Sequence, residues 1–122
     1  MKKVALLLMI VFFATASNAQ FTNTKWKGTL MFDSPTDIVF DFKKDTLTVL
    51  YASDNSVIEE MTYKASDTSF TIQKTWGQSD CSNETKGRYH FEIKEGVMYI
   101  KTIADDCYSR SMYLNETKWT KM

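Results

Sequence analysis

The stretch "RYHFEIK", residues 88–94, alternates large apolar side chains with polar ones at every step. Tyr89, Phe91 and Ile93 point one way, and His90, Glu92 and Lys94 the other. A period of two matches the pleat of a β-strand with one buried face and does not match a helix, whose faces recur about every 3.6 residues. The same period recurs along most of the chain. "TKWKGTLMF" sets Trp26, Gly28, Leu30 and Phe32 against Lys25, Lys27 and Thr29, and "DIVFDFK" sets Ile38, Phe40 and Phe42 against Asp41 and Lys43. "TLTVLYAS" brings Leu47, Val49 and Tyr51 into phase, "TSFTIQKTW" contributes Phe70, Ile72 and Trp76, and "VMYIKTIA" contributes Tyr99. In "VIEEMTYKA" the phase stays open between Val57/Glu59/Met61/Tyr63 and the opposite set. The last strand is read across "SRSMYLNE" and "TKWTKM".

These runs are divided by "SPTD", "KD", "DNS" and "EG", which carry turn-forming residues, and no helix-period segment interrupts them. Connections of mostly two to five residues are hairpin lengths, so successive strands pair antiparallel. Eight such strands are enough to close a barrel with no exposed edge. The expected fold is therefore all-β, a single small eight-stranded antiparallel up-and-down barrel. An immunoglobulin-like sandwich would place its cysteines within facing strands, with a tryptophan between them in sequence. Here Cys81 and Cys107 lie in loop-like sequence, and no tryptophan separates them.

The first residues, "MKKVALLLMIVFFATASNAQ", have the build of an export signal: two lysines, an apolar run and small residues at Ser17 and Ala19. The run falls short of the roughly 20 residues that span a bilayer. Residues 1–19 are accordingly expected to be a leader, and residues 20–122 one domain with a periplasmic or secreted destination. Without Lys2 and Lys3 the acids outnumber the bases by two. No basic surplus exists to bind nucleic acid or anionic lipid, and no stable membrane insertion is expected after cleavage.

Export favours a disulfide over free thiols. In a meander the loops after strands one, three, five and seven share one end, so Cys81 and Cys107 come together there and a Cys81–Cys107 bridge is expected. Closing a loop of roughly 25 residues stabilises by about 3 kcal/mol in the chain-entropy account. A metal set of Asp105, Asp106, Cys107 and Cys81 mixes thiolate with hard carboxylates and lacks histidine, a poor donor set for common metals. A nucleophilic Cys107 assisted by Arg110 would need a base.

Taken together, the leader, the first-strand "WKG" (Trp26 to Gly28) and a Cys…G-x-Y / D-x-C-x-x-R pattern resemble small secreted lipocalin-like proteins of bacteria. The residues that carry the likeness are Cys81, Gly87, Tyr89, Asp105, Cys107 and Arg110. The resemblance implies a calycin-type barrel and small hydrophobic ligands. Fatty-acid-binding proteins insert a helical lid between the first two strands, where this chain has only "SPTD". Trp119 is expected to meet Trp26 at the closed base.

Candidate ligand-lining residues are Arg110, Trp76, Tyr89, Phe91, Tyr99 and Phe40, all on faces expected to point inward. The inward aromatics either line a cavity or fill it, because a narrow eight-stranded barrel can be packed solid. Arg110 has two roles open: capture of an anionic head group, or an ion pair with Asp105 or Asp106 that orders the loop. His90, the single histidine, is placed on the outer face. No phosphate-binding glycine loop or acid–base centre is legible, so neither a cofactor nor an enzymatic role is expected. Two functions fit: a binding protein for a small hydrophobic or amphipathic molecule, and a loop-mediated interaction module such as an inhibitor of a secreted hydrolase.

Overall fold

A computed structural model describes residues 18–122. The chain forms β1 (Thr24–Met31), β2 (Pro35–Phe42), β3 (Thr46–Tyr51), β4 (Val57–Ala65), β5 (Ser69–Gly77), β6 (Lys86–Lys94), β7 (Val97–Asp105), α1 (Tyr108–Leu114) and β8 (Thr117–Lys121). Each strand pairs antiparallel with the next, and β8 returns to β1 to close the barrel. The alternation in "RYHFEIK" becomes β6, and its turn into β7 is made by Glu95 and Gly96, both at positive φ. That geometry matches the right-handed twist of the strands it joins.

Three bulges break the simple period. The register skips Ile58 between β3 and β4, Thr75 between β4 and β5, and Ile103 between β6 and β7. Each extra residue reverses the facing of the residues beyond it, because side chains alternate strictly on either side of the bulge. This corrects the expected facing of Trp76. Phe70, Ile72 and Lys74 point inward, Thr75 is the extra residue, and Trp76 lies 55% exposed opposite Glu60. Tyr99 is also turned outward, opposite Glu92, since Met98 and Ile100 take the inward positions of β7. Ile93 lies exposed near the β6–β7 turn.

The residues expected to open the last strand instead form α1. In that helix Arg110 and Leu114 are buried while Met112 is exposed, the i, i+4 spacing of a single helical face. A period of two also places 110 and 114 together, so the alternation could not separate the two conformations.

The leader expected over residues 1–19 lies outside the described residues except for Asn18 and Ala19. From Asn18 the chain turns under one end of the barrel and inserts Phe21 fully into the core. The Phe21 ring packs at 4.8 Å from Phe42 and 5.0 Å from Phe91. Asn18 holds this plug in place: its Nδ2 donates to the carbonyls of Lys44 and Tyr63, each at 3.0 Å, and its Oδ1 accepts from the Ala65 amide at 2.8 Å. The aromatic layer above includes Trp26, Phe40, Phe70 and Trp119, all buried. The register of β1 with β8 sets Trp26 across from Lys121 and Lys27 across from Thr120, which brings Trp119 to Gly28. Trp119 therefore stacks on Phe40 at 3.8 Å, and Trp26 carries the Lys121 ammonium over its ring. A methyl group on Gly28 would lie 2.7 Å from the Trp119 ring, which is why the W-x-G stretch needs glycine there.

Candidate functional site

At the end opposite the Phe21 plug, the loops after β1, β3, β5 and β7 surround a cavity of about 380 Å³. Its walls are mainly apolar: Leu30, Phe40, Val49, Ile58 and Met61 from the strands, and Leu114 from α1. The inward aromatics thus fill one half of the barrel and leave the other half open. A larger hollow on the outer wall is lined mainly by polar residues such as Thr62, Lys64, Thr71 and Gln73.

One wall of the cavity rests on an ion pair. The bulge at Ile103 turns Asp105 inward, and its carboxylate is fully buried. Arg110 Nε donates to Asp105 Oδ2 at 2.7 Å and Nη2 donates to Oδ1 at 2.8 Å, a bidentate pairing. The Cys107 amide donates to Oδ1 at 2.7 Å, and the Tyr89 hydroxyl donates to Oδ2. Arg110 Nη2 also reaches the Thr85 carbonyl, and Nη1 has Met61 Sδ at 4.0 Å. Four donors on one buried carboxylate offset the desolvation that would otherwise make it costly. Burial opposes the charge of Arg110, but the hydrogen bonds and negative charge of Asp105 outweigh it and hold the guanidinium pKa above its ordinary value. Burial, reinforced by the bond to Asp105, pushes the Tyr89 phenol well above the usual range.

Gly87 completes the cluster. Any side chain there would run into the Asp105 carboxylate, which occupies the space directly over its Cα. The G-x-Y and D-x-C-x-x-R segments are therefore one structural unit: Gly87 makes room, Tyr89 and Arg110 bind, and Asp105 is the common acceptor.

Cys107 immediately precedes α1 and is bonded to Cys81, with Cα atoms 5.5 Å apart. Asp80 lies beside the two sulfurs. Since the sulfurs are joined, they offer no thiolate to a metal or a substrate. The bridge ties the β5–β6 loop to the helix that carries Arg110, and Ser109 Oγ adds a 2.5 Å bond to Asp80 Oδ1 across the same junction.

A second charged pair sits beside the first, on β4 and β5. Glu59 is 5% exposed and lines the cavity, and Lys74 is 3% exposed behind it. Lys74 Nζ donates to the carbonyls of Ser79 at 2.9 Å and Cys81 at 2.6 Å, and lies 4.0 Å from Glu59 Oε1. Glu59 Oε1 has no hydrogen-bond partner. Gly77, opposite Glu59 and at positive φ, permits this approach: a methyl group there would lie 2.6 Å from the Glu59 Cα. Sequence reasoning missed both residues. The phase of β4 was open, and Lys74, though in phase with Phe70 and Ile72, is a charged residue that the apolar pattern did not single out.

Of the candidate ligand-lining residues, Arg110 and Phe40 line the cavity. Tyr89 and Phe91 are buried in the core, Tyr89 on Asp105 and Phe91 against Phe70. Trp76 and Tyr99 stand on the outer surface. His90 is exposed on β6.

The geometry defines a closed eight-stranded antiparallel β-barrel, consistent with a lipocalin-like fold, with one end plugged and the other holding an apolar cavity. Comparison with known proteins finds no matching family model, curated protein or solved structure.

Proposed function

We propose that this is an exported, non-enzymatic binding protein that holds a small hydrophobic or amphipathic molecule in the open half of its barrel. The carrying observation is the cavity of about 380 Å³ under mainly apolar walls. Ligand sites commonly start at about 300 Å³ and combine apolar lining with a few placed polar groups. The disulfide is compatible with export, and residues 1–19 supply the leader in this reading. Outward strand positions carry Lys25, Lys27, Glu60, Lys64 and Glu92, the reverse of a barrel that faces lipid. Among the described residues no helix is long and apolar enough to cross a membrane.

Native mass spectrometry of protein purified from its own host tests the reading. The expected spectrum contains a bound small molecule, which Leu30→Trp displaces by filling the cavity. An empty protein that also ignores apolar probes would refute it.

A second reading, a loop-mediated interaction module such as a hydrolase inhibitor, draws on apolar residues exposed near the same end. Tyr108 and Met112 on α1 are 77% and 62% exposed, and Met31 at the end of β1 is 62% exposed. Partner binding of that kind would survive Leu30→Trp and fall on replacement of Tyr108 and Met112.

A further inference from the structure

The two charged groups of the cavity are not equivalent. Arg110 is the cation expected at a site for anionic head groups, but Asp105 occupies its Nε and one side of Nη2, and the Thr85 carbonyl takes more of Nη2. Its positive charge is matched at contact distance by a carboxylate that shares the same burial. Glu59 is the opposite case. Its nearest cation, Lys74, sits 4.0 Å away and spends its short hydrogen bonds on two loop carbonyls. Glu59 Oε1 is therefore a buried carboxylate oxygen without a hydrogen-bond donor, in a residue that lines an apolar cavity. An unmade bond of this kind costs free energy that an arriving donor recovers.

The charges around the cavity have the same sign as this deficit. Asp33 and Asp80 join Glu59 and Arg110 in the lining. With the partners Asp105 and Lys74 included, four carboxylates face two cations, so the cavity favours positive charge over negative.

We propose that the cavity is specific for lipophilic amines: a small apolar body lies among Leu30, Val49, Met61 and Leu114, and an ammonium donates to the Glu59 carboxylate. This rests on the reading of the cavity as a ligand site and names the chemistry of its ligand. A carboxylate amphiphile would place its charge beside Glu59 and meet an Arg110 whose charge Asp105 already pairs, with only Nη1, now against Met61 Sδ, left to donate. An alcohol would supply the donor without the charge.

The test compares octylamine, 1-octanol and octanoate, which share an apolar chain and differ in the head. Isothermal titration of the exported, disulfide-bonded protein near pH 7 is expected to show octylamine binding at least tenfold more tightly than 1-octanol, with octanoate weakest. Glu59→Gln keeps the size of the side chain and removes its charge. It should abolish the preference for the amine, bringing the affinities of octylamine and 1-octanol within about threefold of each other, since the apolar walls they share persist. Octanoate binding as tightly as octylamine, or a preference that survives Glu59→Gln, overturns the proposal. The ligand series on the unaltered protein decides the matter even where the variant fails to fold. Failure of all three compounds to bind would overturn the cavity reading itself, a result distinct from loss of head-group preference.

Discussion

Arg110, in the first turn of α1, reaches back five residues to grip the carboxylate of Asp105 at the end of β7 through two hydrogen bonds of 2.7 and 2.8 Å. The pair joins the helix to the barrel wall and is buried on both sides. Removing one member leaves an uncompensated charge, which costs about 3–5 kcal/mol. Arg110→Met and Asp105→Asn are each expected to lower stability by that amount in urea unfolding. The double variant should cost clearly less than the sum of the two, because the second change removes the group the first left stranded. Additive losses would show that the two side chains act independently.

The two motif glycines make a steric prediction. Gly87→Ala drives a methyl group into the Asp105 carboxylate, and Gly28→Ala drives one into the Trp119 ring. Overpacking of this kind costs about 1–3 kcal/mol. Gly96→Ala is the control, since nothing lies within 4 Å of its missing Cβ. It should cost only about 1 kcal/mol for its positive φ. Thermal unfolding of the three variants orders them directly.

Replacing Cys81 and Cys107 together by alanine opens a loop closed by residues 26 apart. The loss expected from chain entropy is about 3 kcal/mol. The barrel should persist, with an unchanged far-ultraviolet dichroism spectrum, since the strands and the Phe21 plug do not depend on the bridge. The β5–β6 loop and α1 should lose amide-exchange protection first, and equal loss of protection across all strands would contradict this.

Alkaline pH should destabilise the protein through Tyr89. Its folded pKa lies above the unfolded value of 10.0, so the folded state holds the phenolic proton more tightly than the unfolded chain does. The corresponding stability is complete below about pH 10 and declines as the pH rises further, by about 1.4 kcal/mol per pH unit. Burial raises the Tyr63 phenol as well, and its loss has the same sign. Tyr89→Phe should flatten the decline between pH 10 and 12, and an unaltered slope would exclude Tyr89 as its source.

Asn18 makes three side-chain hydrogen bonds that hold the plug segment under the barrel. Asn18→Ala removes them all and should cost about 1–3 kcal/mol. A chain beginning at Gln20, the product of the expected cut after Ala19, should be less stable than one that retains Asn18, by a similar amount. Equal melting temperatures for the two chains would show that Phe21 alone secures the plug.

Much of the fold was legible because a half-buried strand has a period and a turn has a composition. The alternation of Tyr89, Phe91 and their neighbours, the Glu95–Gly96 turn and the loop positions of both cysteines were enough for an eight-stranded closed meander with a bridge at one end. Two faces were misread where a bulge or an ambiguous run hid the phase. Trp76 follows the Thr75 bulge, and Tyr99 lies in an apolar run where neighbours on both faces are large. Helix α1 was missed because Arg110 and Leu114 share a face in either conformation.

Local sequence determined the strands, their order and the cysteine pairing, since each rests on periodicity, short connections or the geometry of successive hairpins. Only the tertiary structure decided which charges are inside and which of them are satisfied. A bulge is set by the fit between two strands and not by the residues of either one, so the inward position of Asp105 follows from the closed barrel. The same closure matched Arg110 to Asp105, left Glu59 without a donor, and placed the open half of the barrel beside it.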